Sequence, residues 1–91
     1  MPYIPQENRP AYEEAIEKIV DQLVQLDNEN DVEGHFNYVV SSIIHRYMKK
    51  TGPRYYKINK FIGALHCISD EFYRTSASPY EDCARENNGD I

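Results

Sequence analysis

Cations and tyrosines crowd the middle of the chain, where His45, Arg46, Lys49, Lys50, Arg54, Tyr55, Tyr56, Lys57 and Lys60 fall within sixteen residues and Tyr38 stands just before them. Guanidinium and ammonium groups neutralise phosphates and tyrosine rings stack on bases, so the combination suits a nucleotide or a single-stranded segment. The competing reading is a solvated helix end with core tyrosines, or an acceptor for the acidic first helix of a neighbouring subunit. Charge is partitioned along the chain. Residues 1–33 hold nine acids against Arg9 and Lys18, a net of −7, whereas residues 34–69 hold six bases and no acid, a net of +6. Residues 70–91 hold two bases against six acids, a net of −4, which leaves −5 for the whole. A local basic pocket tolerates acidic ends, but an extended phosphate backbone would be repelled by them. A discrete small anion is therefore expected in preference to long nucleic acid.

Other chemistries are less well supplied. His35, His45, His66, Cys67 and Cys83 are metal-ligand types, yet no Cys-x-x-Cys or His-x-x-x-His spacing occurs, and adjacent His66 and Cys67 point about 100° apart on a helix. No metal or other cofactor is expected. Cys67 beside His66 or His45 lacks a third orienting group and an activator, which leaves it a structural thiol rather than a nucleophile. Glu14, Glu17 and Asp21 share one helix face. All-helical nucleotide pyrophosphohydrolases hold magnesium with Glu-x-x-Glu on one helix and Glu-x-x-Asp on another, because carboxylates a turn apart converge on a hard cation. Here Asp70 and Glu71 are followed three residues later by Tyr73 and Arg74. A solvated acidic face is the reading that needs no missing partner.

Ninety-one residues support one domain with one core. Hydrophobic residues are 41% and charged residues 27%, with no apolar run long enough to span a bilayer. The opening residues lack a basic segment followed by an apolar one, so a cytoplasmic location with both cysteines reduced is expected.

The elements that must position these groups read as helices. Pro10 suits a first helical turn, and Tyr12, Ala15, Ile16, Ile19, Leu23 and Leu26 recur on one face, predicting a helix over 10–27. Asn28-Glu29-Asn30-Asp31 offers side chains that compete for backbone hydrogen bonds. A second helix over 34–50 aligns Phe36, Val39, Val40, Ile43 and Tyr47, and Thr51-Gly52-Pro53 ends it. Its opposite stripe of Tyr38, Ser41, Ser42, His45, Arg46 and Lys49 has no carboxylate. A third helix over 55–74 buries Ile58, Phe61, Ile62, Leu65, Ile68, Phe72 and Tyr73, with Gly63, Ala64 and Cys67 on a second face open to close approach. Ser78-Pro79-Tyr80-Glu81 fits a capping box that starts a short helix over 79–86. The fold expected is all-α: a small antiparallel bundle of three main helices plus a short C-terminal one in a single domain over 1–91, associating with itself.

Both ends carry recognisable runs: Met1-Pro2-Tyr3-Ile4-x-Gln6-Glu7-x-Arg9, central Asn37-Tyr38-Val39-Val40, and closing Pro79-Tyr80-Glu81-Asp82 with Glu86-Asn87-x-Gly89-Asp90. In these the chain resembles a family of short, functionally unassigned proteins of bacteria, archaea and phages, with Asn88 added where the family usually runs Glu-Asn-Gly-Asp. The resemblance implies a compact fold and carries no chemistry. Its phage members suggest by analogy a non-enzymatic protein that sequesters a small nucleotide-type signal, such as an anti-defence sponge. A protein-interaction adaptor is the alternative, and a magnesium-dependent nucleotide hydrolase using Glu14, Glu17 and Asp21 the third.

Overall fold

The computed structural model describes residues 3–91; Met1 and Pro2, the first two residues of the opening motif, lie outside it. Every regular element among the described residues is helical, and the chain divides into two compact units, one of Tyr3–Arg54 and one containing Tyr55–Ile91.

In the first unit, a 3-10 turn over Gln6–Asn8 leads into α1, Pro10–Val24. Pro10 occupies the first turn, where a missing N–H costs nothing, and Glu13 sits near the positive end of the dipole. The Arg9 Nε donates to the Ile4 carbonyl at 3.0 Å and ties the opening residues to this helix start. α1 stops at Val24, short of the expected 27, because the Leu26 amide bonds the Leu23 carbonyl and tightens the last turn. Asn28 then behaves as its residue type suggests, its side chain accepting from the Asn30 amide at 3.0 Å. α2 covers Val32–Thr51 with Lys49 and Lys50 in its last turn, and Gly52 ends it at φ 89°, a backbone conformation that favours glycine.

In the second unit, α3 spans Tyr55–Phe72 and α4 spans Ser78–Asn88, joined by a π-helical turn over Tyr73–Ala77. The expected break and capping box are corrected here. Ala77, not Ser78, precedes the first residue of α4; Ala77 is itself helical, and no side chain caps the helix start. Pro79 supplies the physical reason for the wider turn. It has no N–H and its ring crowds the carbonyl of Thr75, four residues back, so the helix accommodates it by inserting a residue and bonding Ser78 N–H to Tyr73 O. The chain therefore stays helical from Tyr55 to Asn88.

The faces predicted to be buried are not covered within their own units. None of the described residues is fully buried; Ile19, Leu23, Val39, Val40, Ile44, Met48 and Phe61 are half-buried. Phe36, Ile43, Ile62 and Ile68 are each at least half exposed, and Phe72 is 70% exposed. Gly63 faces open space, so the close approach it permits is not used within its own unit.

Candidate functional site

The ten residues singled out from the sequence divide between the two units. Tyr38, His45, Arg46, Lys49, Lys50 and Arg54 belong to the first, and Tyr55, Tyr56, Lys57 and Lys60 to the second.

On α2, positions 38, 45 and 49 return to within about 20° of one line at 100° per residue, and Arg46 sits about 80° away. Tyr38, His45, Arg46 and Lys49 are all exposed, Tyr38 at 68%. Lys50 and Arg54 are exposed as well. None of Arg46, Lys49, Lys50 and Arg54 takes part in an ion pair among the described residues, whose pairs are Lys18–Glu14, Arg74–Glu71 and Arg85–Asp82. These cations thus have no ion-pair partner among the described residues, and the acid-free sequence around them offers none nearby along the chain. Neighbouring polar groups are turned inward on the same helix: Ser41 Oγ donates to Asn37 Oδ1 at 2.8 Å and Thr51 Oγ1 to the Tyr47 carbonyl at 2.8 Å.

At the start of α3, Lys60 Nζ lies 5.4 Å from the centroid of the Tyr56 ring, a cation–π contact that occupies one face of that ring. Tyr55 is 76% exposed and keeps its ring available for stacking, whereas Lys57 is half-buried.

The acidic face of α1 is already partly engaged, with Glu14 Oε1 3.3 Å from Lys18 Nζ. Among the described residues no group of three or more His, Cys, Asp or Glu side chains is arranged to hold a metal ion, and Cys67 and Cys83 are exposed free thiols. Chelation by EDTA is accordingly expected to leave the melting temperature unchanged to within a degree by circular dichroism. A drop of several degrees would show a metal contributing to the fold.

One feature could not be found from spacing. The Tyr73 hydroxyl donates to Glu81 Oε2 at 2.7 Å across eight residues. In an unbroken α-helix those positions are about 80° apart, and the extra residue of the π turn brings them onto one line. The hydrogen bond to Glu81, and next that carboxylate's charge, hold the Tyr73 phenol above its ordinary range. A phenol whose pKa is raised by folding favours the neutral form in the folded state. The stabilisation is present below the ordinary tyrosine pKa and is lost as pH rises through the folded value. Tyr73→Phe should therefore flatten the alkaline end of the stability profile, followed by urea unfolding between pH 8 and 11; its cost, small because the pair is exposed, is fully expressed at neutral pH and fades as pH rises.

A shallow groove in the first unit is formed by Val20, Leu23, Val24 and Val32 together with Asp27 and Glu29. In the second unit a smaller one lies along α4 between Tyr80, Cys83 and Asn87. Neither is basic. No helix of the described residues is long and apolar enough to cross a membrane. No curated protein and no solved structure matches the chain. A family model does match, over residues 1–91, and the chain belongs to that family, a domain of unknown function (DUF6899).

Proposed function

We propose that the protein is a non-enzymatic binding protein that works as a homo-oligomer, its helices completed into bundles by further copies, and that the assembly holds a small anionic ligand of nucleotide type on its acid-free segment. The observation that carries this reading is the exposure of the apolar faces of all three long helices. Monomeric proteins rarely leave contiguous apolar surface of this extent in water, and each large side chain so left forfeits about 1.5–3 kcal/mol of burial. Without that burial, the conformational entropy of ordering the helices has little to offset it. A second copy presents the same faces and is always available.

The ligand reading rests on Arg46, Lys49, Lys50 and Arg54, exposed and outside any ion pair among the described residues. Charge-assisted contacts to phosphate are the strong ones, and Tyr38, in the same unit as these cations, provides a ring for a base. Sequestration of a nucleotide signal, as by a phage anti-defence protein, is the physiological form this would take. A thermal-shift panel of cyclic and linear nucleotides tests it, with stabilisation by at least one nucleotide expected and no response from any of them contradicting it. An adaptor that receives another protein is the second reading, favoured by the Val20–Val32 groove, whose two carboxylates suit a basic amphipathic helix.

A further inference from the structure

Within the second unit the apolar residues of α3 fall at Ile58, Phe61, Leu65, Ile68 and Phe72, with spacings of three, four, three and four residues. That alternation is the seam of a two-helix coiled coil rather than the wider stripe of a globular helix. An unbroken α-helix would carry the next candidate, Tyr80, about 80° off this line. The π turn absorbs one residue, which returns Tyr80 to within about 20° of the seam. The Tyr73–Glu81 hydrogen bond, linking residues eight apart at 2.7 Å, independently reports the same re-registration. Ile58, Ile68, Phe72 and Tyr80 are exposed along this line, the last two at 70% and 77%. A buried aromatic contributes on the order of 150–250 Å², so the seam supplies much of the roughly 800 Å² per partner that a stable interface needs.

We infer that this seam is covered by the same seam of a second copy of the chain, running antiparallel. The orientation follows from charge. Residues 55–69 carry Lys57 and Lys60 and no acid, whereas residues 70–91 carry six acids against Arg74 and Arg85. Parallel helices would align Lys57 and Lys60 with their own copies, and Asp70 and Glu71 with theirs. Antiparallel helices crossing near Ala64 set the basic start of each α3 beside the acidic end of the other, with Lys57 opposite the second copy's Glu71. Glu71, which also pairs with Arg74 on its own helix, flanks the seam on the same side as Lys57, the two positions lying about 40° apart. Ala64, small and beside the seam, lets the axes approach at the crossing. The inference rests on the proposed self-association and adds its surface and direction.

Spin labels on the two native cysteines of the full chain test it, using Cys83→Ser to label Cys67 alone and Cys67→Ser to label Cys83 alone. Antiparallel pairing about Ala64 puts the Cys67 labels within about 20 Å of each other and the Cys83 labels on the order of 57 Å apart, at 1.5 Å per residue. Ile68→Asp should remove both distances and lower the mass. A dimer with Cys83 labels within about 20 Å would overturn the antiparallel arrangement while leaving self-association standing. An oligomer whose mass is unchanged by both Ile68→Asp and Phe72→Asp would overturn the seam. A chain that stays monomeric would overturn both this inference and the reading beneath it.

Discussion

Replacing Arg46, Lys49 and Arg54 together by alanine is expected to weaken nucleotide binding by roughly a hundredfold or more, measured by calorimetry at fixed low salt. The three cations lie in one unit, are exposed, and pair with no carboxylate among the described residues. Their removal should therefore leave helix content unchanged. Each charge-assisted contact to phosphate contributes about 1.5–3 kcal/mol, and about 1.4 kcal/mol is tenfold in affinity, so two contacts suffice for the expected loss. Binding should also fall with salt, as partly exposed charge pairs do. Unchanged affinity in the triple variant would return the basic segment to an electrostatic contact between subunits and make protein interaction the leading function.

The melting temperature is expected to depend on protein concentration. If folding is completed by association, anything that binds only the folded chain stabilises it by mass action, and the partner here is the protein itself. A hundredfold rise in concentration then contributes about 2.7 kcal/mol, which for a chain of this size raises the midpoint on the order of 10 °C. Ile68→Asp should remove most of that dependence and lower the midpoint at every concentration. A melting temperature constant from micromolar to hundreds of micromolar would mean that the apolar faces are covered within one chain.

The helices were legible because apolar spacing and turn chemistry agree along α1, α2 and α3. Pro10, Asn28 and Gly52 each do locally what their side chains or backbone freedom dictate. The join between α3 and α4 was not legible. Ser78-Pro79-Tyr80-Glu81 has the residues of a helix start, but that pattern presumes a free end, and here a helix arrives from the N-terminal side. Pro79 then widens the turn instead of opening a new helix, and Glu81 turns its carboxylate to Tyr73 rather than to a backbone amide. Periodicity read at a constant 100° per residue cannot register an inserted residue, so the Tyr73–Glu81 pair and the alignment of Tyr80 with Phe72 emerge only from the coordinates. The candidate cations were legible as a charge pattern, since an acid-free stretch can offer them no partner nearby in sequence. Their distribution over two units was not, because adjacency along the chain across Thr51–Arg54 says nothing about membership of a common compact body.

Sedimentation equilibrium of the purified 91-residue chain at tens to hundreds of micromolar tests most directly whether further copies cover the exposed helix faces. The expected mass is a whole multiple of 10.7 kDa, at least a dimer, falling towards a single chain on dilution or in Ile68→Asp. A single species of 10.7 kDa at every concentration, folded and helical, would contradict it.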